Sequence, residues 1–345
     1  MKAARMYGAN DIRVEEIDIP AYDEEGLLLK VEVVGLCGSD VRNLTTDSRQ
    51  GDYPHVYGHE VVGTVAEVGA KHTRFKVGDR LYCYPGNPCL KCEQCRAGHS
   101  NLCDNVRKYD RTQGGFAQYM AVPTWGANGP NIYKIPESVS FETAVMSEPL
   151  SSVYACQDNV NIRMGQIVVV VGAGPIGCMH VELAKKRGAK KVIVIEINDQ
   201  RLEESKDFGA DHIINSTKVN ALEELMRLTD GKGAHVVITA NPSPKSQSDA
   251  VYMVRKTGIL VFFGGVAKGA KAEIDTNHLH YNNIWTYGHF AANTRQVKES
   301  FDIMTSGEID ASRYISKVMP IDQLFDAIML IKGGNVNKVL INPWM

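Results

Sequence analysis

The stretch VVVVGAGPIG, residues 168–177, decides the fold. Four valines form a strand too apolar to face water. The chain then turns through Gly172 and Gly174 into Pro175, Ile176 and Gly177, where a helical pattern, PIGCMHVELAKKRG, begins. In such a turn the first glycine permits the tight bend, the second lets backbone approach a pyrophosphate, and the third packs helix on strand. The free N–H groups at the helix start offer partial positive charge to the phosphates. A glycine triplet alone is weak evidence, so the next strand matters. VIVIE ends on Glu196, nineteen residues after Gly177, where a carboxylate can accept hydrogen bonds from a ribose diol. The reading is a dinucleotide site that takes NAD in preference to NADP, because Glu196 repels a 2′-phosphate. Arg201 flanks the adenine or, as the lesser alternative, rescues NADP.

The rhythm around this motif sets the fold class, α/β in two domains. From about residue 165, IVVVV, VIVIE, HIIN, AHVVIT and ILVFFGG alternate with helical stretches such as NDQRLEESKDFGA and NALEELMRLTDG, which implies a doubly wound parallel sheet with helices on both faces. Before about residue 147, IRVEEIDIP, GLLLKVEVVGL, EVVGTVAEVG and GDRLYCYPG are short apolar runs between Gly and Pro turns, as in an antiparallel β domain. After about residue 286 come two helices and a strand, KVLINP, too little for a third core, so this tail returns to complete the first domain. A chain of 345 residues is long enough for two cores.

Composition narrows the partners. With 23% charged residues and a formal charge of -2, nothing electrostatic favours nucleic acid or an anionic membrane. Small-molecule ligands fit better. The N-terminal MKAARMYGANDIRVEE has no apolar signal core, and the longest apolar run, residues 167–179, is too short to span a bilayer, so the expected location is the cytoplasm. In that reducing setting, cysteines among Gly, Asp and His favour metal over disulfide, while Cys83, Cys156 and Cys178 read as core residues.

The densest such cluster is GNPCLKCEQCRAGHSNLC, residues 86–103, in which Cys89, Cys92, Cys95 and Cys103 follow C-x2-C-x2-C-x7-C. Thiolates so spaced converge tetrahedrally on one zinc. Such a site is coordinatively full, so it shapes a loop and cannot polarise a substrate. An iron–sulfur run would place its fourth cysteine three residues after the third and before Pro; here the gap is seven and Asp104 follows. A nucleic-acid zinc ribbon would expect basic flanks, yet Lys91 and Arg96 are offset by Glu93 and Asp104.

The chemistry therefore lies elsewhere. GLCGSD presents Cys37, YGHE presents His59 and Glu60, and SEPLSS presents Glu148. Singly each reads as packing, surface or turn. Together, one thiolate, one imidazole and one or two carboxylates make a mixed donor set suited to a zinc that keeps an exchangeable position.

At this point the sequence resembles the zinc-containing medium-chain dehydrogenase/reductase family, the broad alcohol dehydrogenase relatives. CGSD, GHE with VVGTVAEVG, the four-cysteine loop, GGFAQYM, EPLS and VGAGPIG arrive in the family's order over nearly the whole chain. The short loop before GGFAQYM and Glu148, where alcohol dehydrogenases commonly carry Cys, look like the sorbitol (polyol) and threonine dehydrogenase branches. The resemblance implies a GroES-like catalytic domain with both zinc sites at 1–149, a Rossmann domain at 150–286, and a segment at 287–345 that completes the first, with the active cleft between domains. It implies that Cys37 and His59 bind the catalytic zinc, that Glu60 is a direct or exchangeable ligand, and that Glu148 completes the set or holds the zinc-bound water. Asp40 would orient His59, and Ser39 would be the first proton acceptor.

Two departures bear on substrate. Family members often have His five residues after the Cys37 position, as the outer end of a proton relay; here it is Arg42, which cannot deprotonate. Water or His55 could take that step, and the Arg42 fork suits a phosphate or carboxylate on the substrate. Polyol dehydrogenases also tend to carry Arg-Tyr where YGHFAAN has His289 and Phe290. Tyr57, Ser147, His289 and Phe290 are further pocket candidates. The expected activity is two-zinc, NAD-linked oxidation of a polyol, a sugar alcohol with or without phosphate, or a related secondary alcohol, or reduction of the matching ketone. Threonine or another amino alcohol is the alternative substrate, and a non-catalytic nucleotide-binding protein the alternative class. IWTYGHF looks like the strand through which family members extend a sheet across a dimer axis, so a homodimer or homotetramer is expected.

Overall fold

The computed structural model describes residues 1–46, 53–108, 113–334 and 336–345. Part of the short loop before GGFAQYM, residues 109–112, lies outside them. The chain forms two compact units, Met1–Ser151 with Ala292–Met345, and Ser152–Ala291.

In the first unit a seven-stranded sheet runs in the order Ile132–Lys134, Arg80–Cys83, Glu60–Val68, Leu27–Gly35, Lys338–Asn342, Ile315–Pro320, and Tyr119–Val122 also pairs with Leu27–Gly35. A three-stranded sheet, Asp11–Glu16, Lys2–Gly8 and His55–Val56, accompanies it. Strand periodicity sorts the side chains. Val61 and Val65, Val339 and Ile341 enter the hydrophobic core with Leu27, Leu29, Val31 and Leu81. Glu60 and Lys338 fall in the opposite phase of their strands. Register then brings their strands to one place: Gly35 pairs with Glu60 on one side and with Leu340 on the other. The expected strand KVLINP is Lys338–Asn342. Its neighbour Ile315–Pro320 has no clear alternation; Ser316, Lys317 and Val318 are all exposed on that sheet edge.

The second unit holds a six-stranded sheet, every pair parallel. In chain order its strands are Ile167–Val171, Lys191–Glu196, His212–Asn215, Ala234–Thr239, Val254–Phe262 and Trp285–Gly288. In space the third, second and first are followed by the fourth, fifth and sixth, the doubly wound order in which the chain reverses beside the first strand. Val168, Val169, Val170, Ile193, Val194, Val236 and Val237 are fully buried, as expected of strands covered on both faces. Helices start where the sequence supplies caps: Asn198 accepts from the Arg201 N–H ahead of Asp199–Asp207, and Asn220 from the Leu222 and Glu223 N–H groups ahead of Ala221–Leu228. Among the described residues no helix is long and apolar enough to cross a membrane.

Candidate metal centres and cofactor site

The sulfurs of Cys89, Cys92, Cys95 and Cys103 all lie within 4.8 Å of one another. Local backbone draws them together: Leu90 takes a positive φ of 58°, and Cys92 opens the short helix Glu93–Arg96 that carries Cys95. Backbone N–H groups point at the sulfurs, Cys92 to Cys89 at 3.4 Å, with Cys89 and Asn105 both to Cys103 at 3.3 Å. The Lys91 and Cys92 N–H groups pull the Cys89 thiol down to about 6, while burial and then Cys92 and Cys103 push Cys95 up to about 12. Four converging thiols are a donor set that suits zinc, since the cation lets all four ionise. The fit to zinc is good and leaves no open position.

The second cluster brings one donor atom each from Cys37, His59 and Glu60 within 4.8 Å. Cys37 stands at the N-cap of Gly38–Thr45, whose first turn carries Asp40. Asp40, 2% exposed, accepts from the Cys37 N–H at 3.1 Å with one oxygen and meets His59 Nδ1 at 3.1 Å with the other. A carboxylate only accepts, so Nδ1 carries the hydrogen and Nε2 keeps the lone pair a metal needs. Burial opposes charge on His59, but Asp40 and then Cys37 hold its pKa well above the ordinary value, so a metal binding at Nε2 would take the place of a proton there.

Glu60 is fully buried, and Lys338, 4% exposed, lies 2.6 Å from its Oε1 and 2.5 Å from its Oε2. The space for this carboxylate exists because the residue opposite is glycine: a Cβ on Gly35 would sit 1.8 Å from Glu60 Oε2. Lys338 is a charged group in this site that the sequence does not disclose. Its signal, a lysine opening an otherwise apolar strand, is slight.

Glu148 sits in the first turn of Ser147–Asn159 and does not join the 4.8 Å group. It is beside it nonetheless. Burial pushes its carboxyl up to about 7, His59 and Lys338 oppose, and Glu60 and Asp40 add to the rise. Ser147 is fully buried next to it. Ser39 is half-buried and Arg42 exposed on the Gly38–Thr45 helix. Tyr57 is buried with the His55 ring edge-on at 4.7 Å. One thiol, one imidazole and one carboxylate with donor atoms within 4.8 Å of one another fit a zinc ion, and Glu148 lies nearby.

His289 and Phe290 belong to the second unit. His289 Nε2 is 3.2 Å from Ser152 Oγ and its ring stacks on Phe263, whereas Phe290 is exposed. There the glycine turn is built as the motif requires. Gly172 has φ 110°, and a Cβ on Gly177 would lie 2.0 Å from the Gly172 oxygen. A Cβ on Gly174 would meet nothing within 4 Å, so this glycine opens space at the start of Pro175–Lys186. Glu196 Oε2 accepts from the Ala173 N–H at 2.9 Å, and Oε1 from Ile197 at 2.7 Å and Asn198 at 3.3 Å. The carboxylate thus braces the turn and retains acceptor capacity for a ribose hydroxyl. The cradle fits a dinucleotide.

Comparison with known proteins agrees with this geometry. Residues 23–137 match the alcohol dehydrogenase GroES-like domain, and residues 175–306 the zinc-binding dehydrogenase domain. The chain is 33% identical to sorbitol dehydrogenase of Bacillus subtilis over 99% of its own length and 97% of that protein's. The chain belongs to the zinc-binding alcohol dehydrogenase family. It is 32% identical to D-xylulose reductase A of Aspergillus oryzae over 97% of this dehydrogenase and 94% of that one. Among solved structures, alcohol dehydrogenase TADH from Thermus sp. ATN1 superposes with a TM-score of 0.88 at 27% identity, covering 99% of each chain. This dehydrogenase is an oxidoreductase that uses zinc and NAD(P).

Proposed function

We propose that the enzyme interconverts a polyol or related secondary alcohol and its ketone by hydride exchange with NAD(H). The observation that carries this reading is the contact of Cys37, His59 and Glu60 with Glu148 alongside, a donor set with a carboxylate where many alcohol dehydrogenases have a second thiolate. The sorbitol dehydrogenase and xylulose reductase relatives support the substrate class.

In this reading Cys37, His59 and Glu60 hold one zinc and Cys89, Cys92, Cys95 and Cys103 another. Bound zinc at the first site supplies a Lewis acid that favours loss of the alcohol proton. The chain's own groups do the rest. Asp40 fixes the His59 ring through Nδ1. Lys338 balances the buried Glu60 charge. Glu148 can take or return a proton at its own oxygen, and Ser39 accepts the proton leaving the substrate hydroxyl. Gly172, Gly174, Pro175, Ile176 and Gly177 receive the pyrophosphate, Glu196 accepts from the adenosine ribose, which supports NAD over NADP, and Arg201 flanks the adenine. The roles of segments 1–149, 150–286 and 287–345 follow the same reading.

The exposed guanidinium of Arg42 favours a second version, a polyol carrying phosphate. A panel of polyols, polyol phosphates and hydroxy amino acids, followed by NADH formation, tests both. Turnover of polyols supports the proposal, preference for the phosphates supports the Arg42 version, and turnover confined to threonine-like substrates rejects both. Assembly as a homodimer or homotetramer is part of the proposal. The end strand Trp285–Gly288 has one neighbour in its sheet and carries Trp285 at 73% exposure. Light scattering would decide it. A cytoplasmic location is supported by the thiol-rich metal clusters.

A further inference from the structure

Two histidines in the second unit, one buried and one half-buried, have no part in the mechanism above. His180 lies fully buried on the Pro175–Lys186 helix, and His289 follows the strand Trp285–Gly288, where its N–H donates to the Phe262 oxygen at 3.0 Å. Both rings pack on Phe263. His180 meets it edge-on with centroids 4.7 Å apart, and His289 stacks at 5.0 Å.

The hydrogen bonds fix which ring nitrogen carries the proton. Gln157, also fully buried, donates Nε2 to the His180 oxygen at 2.8 Å, and the same nitrogen lies 3.3 Å from His180 Nδ1. An amide nitrogen only donates, so Nδ1 accepts and the ring hydrogen of His180 sits on Nε2. Burial, then the charge of His289, pushes His180 down to about 3, and burial pushes His289 down to about 4, so both rings are neutral near pH 7. This leaves three buried polar atoms with no hydrogen-bond partner among the described residues: His180 Nε2, His289 Nδ1 and Gln157 Oε1. One is a donor and one a certain acceptor. Native interiors pair such groups, and an internal water with two to four polar neighbours is the usual partner.

We propose that one buried water accepts from His180 Nε2–H and donates to His289 Nδ1, and that His180, acting through it, is a positioning residue for the nicotinamide half of the cofactor. With Nδ1 accepting, His289 carries its hydrogen on Nε2 and donates it to Ser152 Oγ. The chain Gln157, His180, water, His289, Ser152 then runs in one direction beside Phe263, which both rings touch. The link to the cofactor rests on the dinucleotide reading. Glu196 marks the adenosine side of the sheet, and the strands Ala234–Thr239, Val254–Phe262 and Trp285–Gly288 lie on the other side of Ile167–Val171. The nicotinamide half belongs over their carboxyl ends, where Phe263 and His289 stand.

The test uses full-length protein labelled with 15N-histidine. In the wild type without cofactor, neutral Nε2–H tautomers of both His180 and His289 are expected, and Nδ1–H on His289 would overturn the water bridge without any variant. His180→Phe should shift the His289 ring signals and weaken NADH binding, read by fluorescence, by about fivefold, the loss of roughly one hydrogen bond. His180→Gln, which keeps a donor, should recover most of both. Unchanged His289 signals and unchanged NADH affinity in His180→Phe would overturn the positioning role. Failure of the dinucleotide reading looks different: wild-type protein would bind neither NADH nor NADPH.

Discussion

Lys338 Nζ lies 2.6 Å from Glu60 Oε1 across 278 residues of sequence, and both side chains are buried. Replacing one partner leaves the other as an uncompensated interior charge, so Lys338→Met should cost about 3–5 kcal/mol of stability in denaturant titrations. The double replacement Lys338→Met with Glu60→Gln should recover much of that loss while abolishing turnover.

The two cysteine-bearing clusters should part company under metal analysis. Fully loaded protein should contain two zincs per chain. Cys37→Ser should retain one zinc, lose turnover and keep NAD affinity within a few-fold, because the glycine turn is untouched. Cys89→Ser should instead lower the thermal midpoint and expose the loop to proteolysis, since a closed metal site contributes folding free energy directly. Mild chelation should strip the first site without unfolding.

The three glycines of the turn predict different failures. Gly174→Ala adds a methyl where nothing lies within 4 Å, so stability should change by no more than about 0.5 kcal/mol while NAD binding falls. Gly177→Ala drives the same methyl to 2.0 Å from the Gly172 oxygen and should reduce the thermal midpoint itself. Calorimetry paired with NADH fluorescence separates the two.

His180 gives a pH signature. Its pKa falls from an ordinary 6.5 to about 3 on folding, first through burial. Below pH 6.5 the unfolded chain takes up a proton that the folded chain refuses, so this contribution to stability declines as pH falls from about 6.5 toward 3, by up to about 1.4 kcal/mol per pH unit. His180→Gln should flatten the acid limb of the stability profile, measured as the difference from wild type at pH 5 and pH 7.

What could be read in the sequence was what is local. The glycine turn, the four thiols within fifteen residues and the alternating strands of the second unit carry their own geometry, and Cys37 with Asp40 sits on one helical turn. Lys338 was hidden because its role depends on register: only when Leu340 pairs with Gly35, and Gly35 with Glu60, does it acquire a partner. The strand Ile315–Pro320 lacks the alternation that marks a half-buried strand, being an exposed edge. Glu148 before Pro149 resembled a turn, yet proline is compatible with the first turn of a helix, and Ser147–Asn159 begins there.

The pairing of Glu60 with Lys338 also has a temporal side. At roughly 5–20 residues per second, a ribosome needs tens of seconds to add the 278 residues that separate them. Throughout that interval the nascent carboxylate has no lysine to meet and must stay hydrated, so the seven-stranded sheet of the first unit cannot be completed while the nucleotide-binding segment is still being made. The strand that brings Lys338 is therefore expected to be the closing piece of this unit, added only after the whole nucleotide-binding segment has been made.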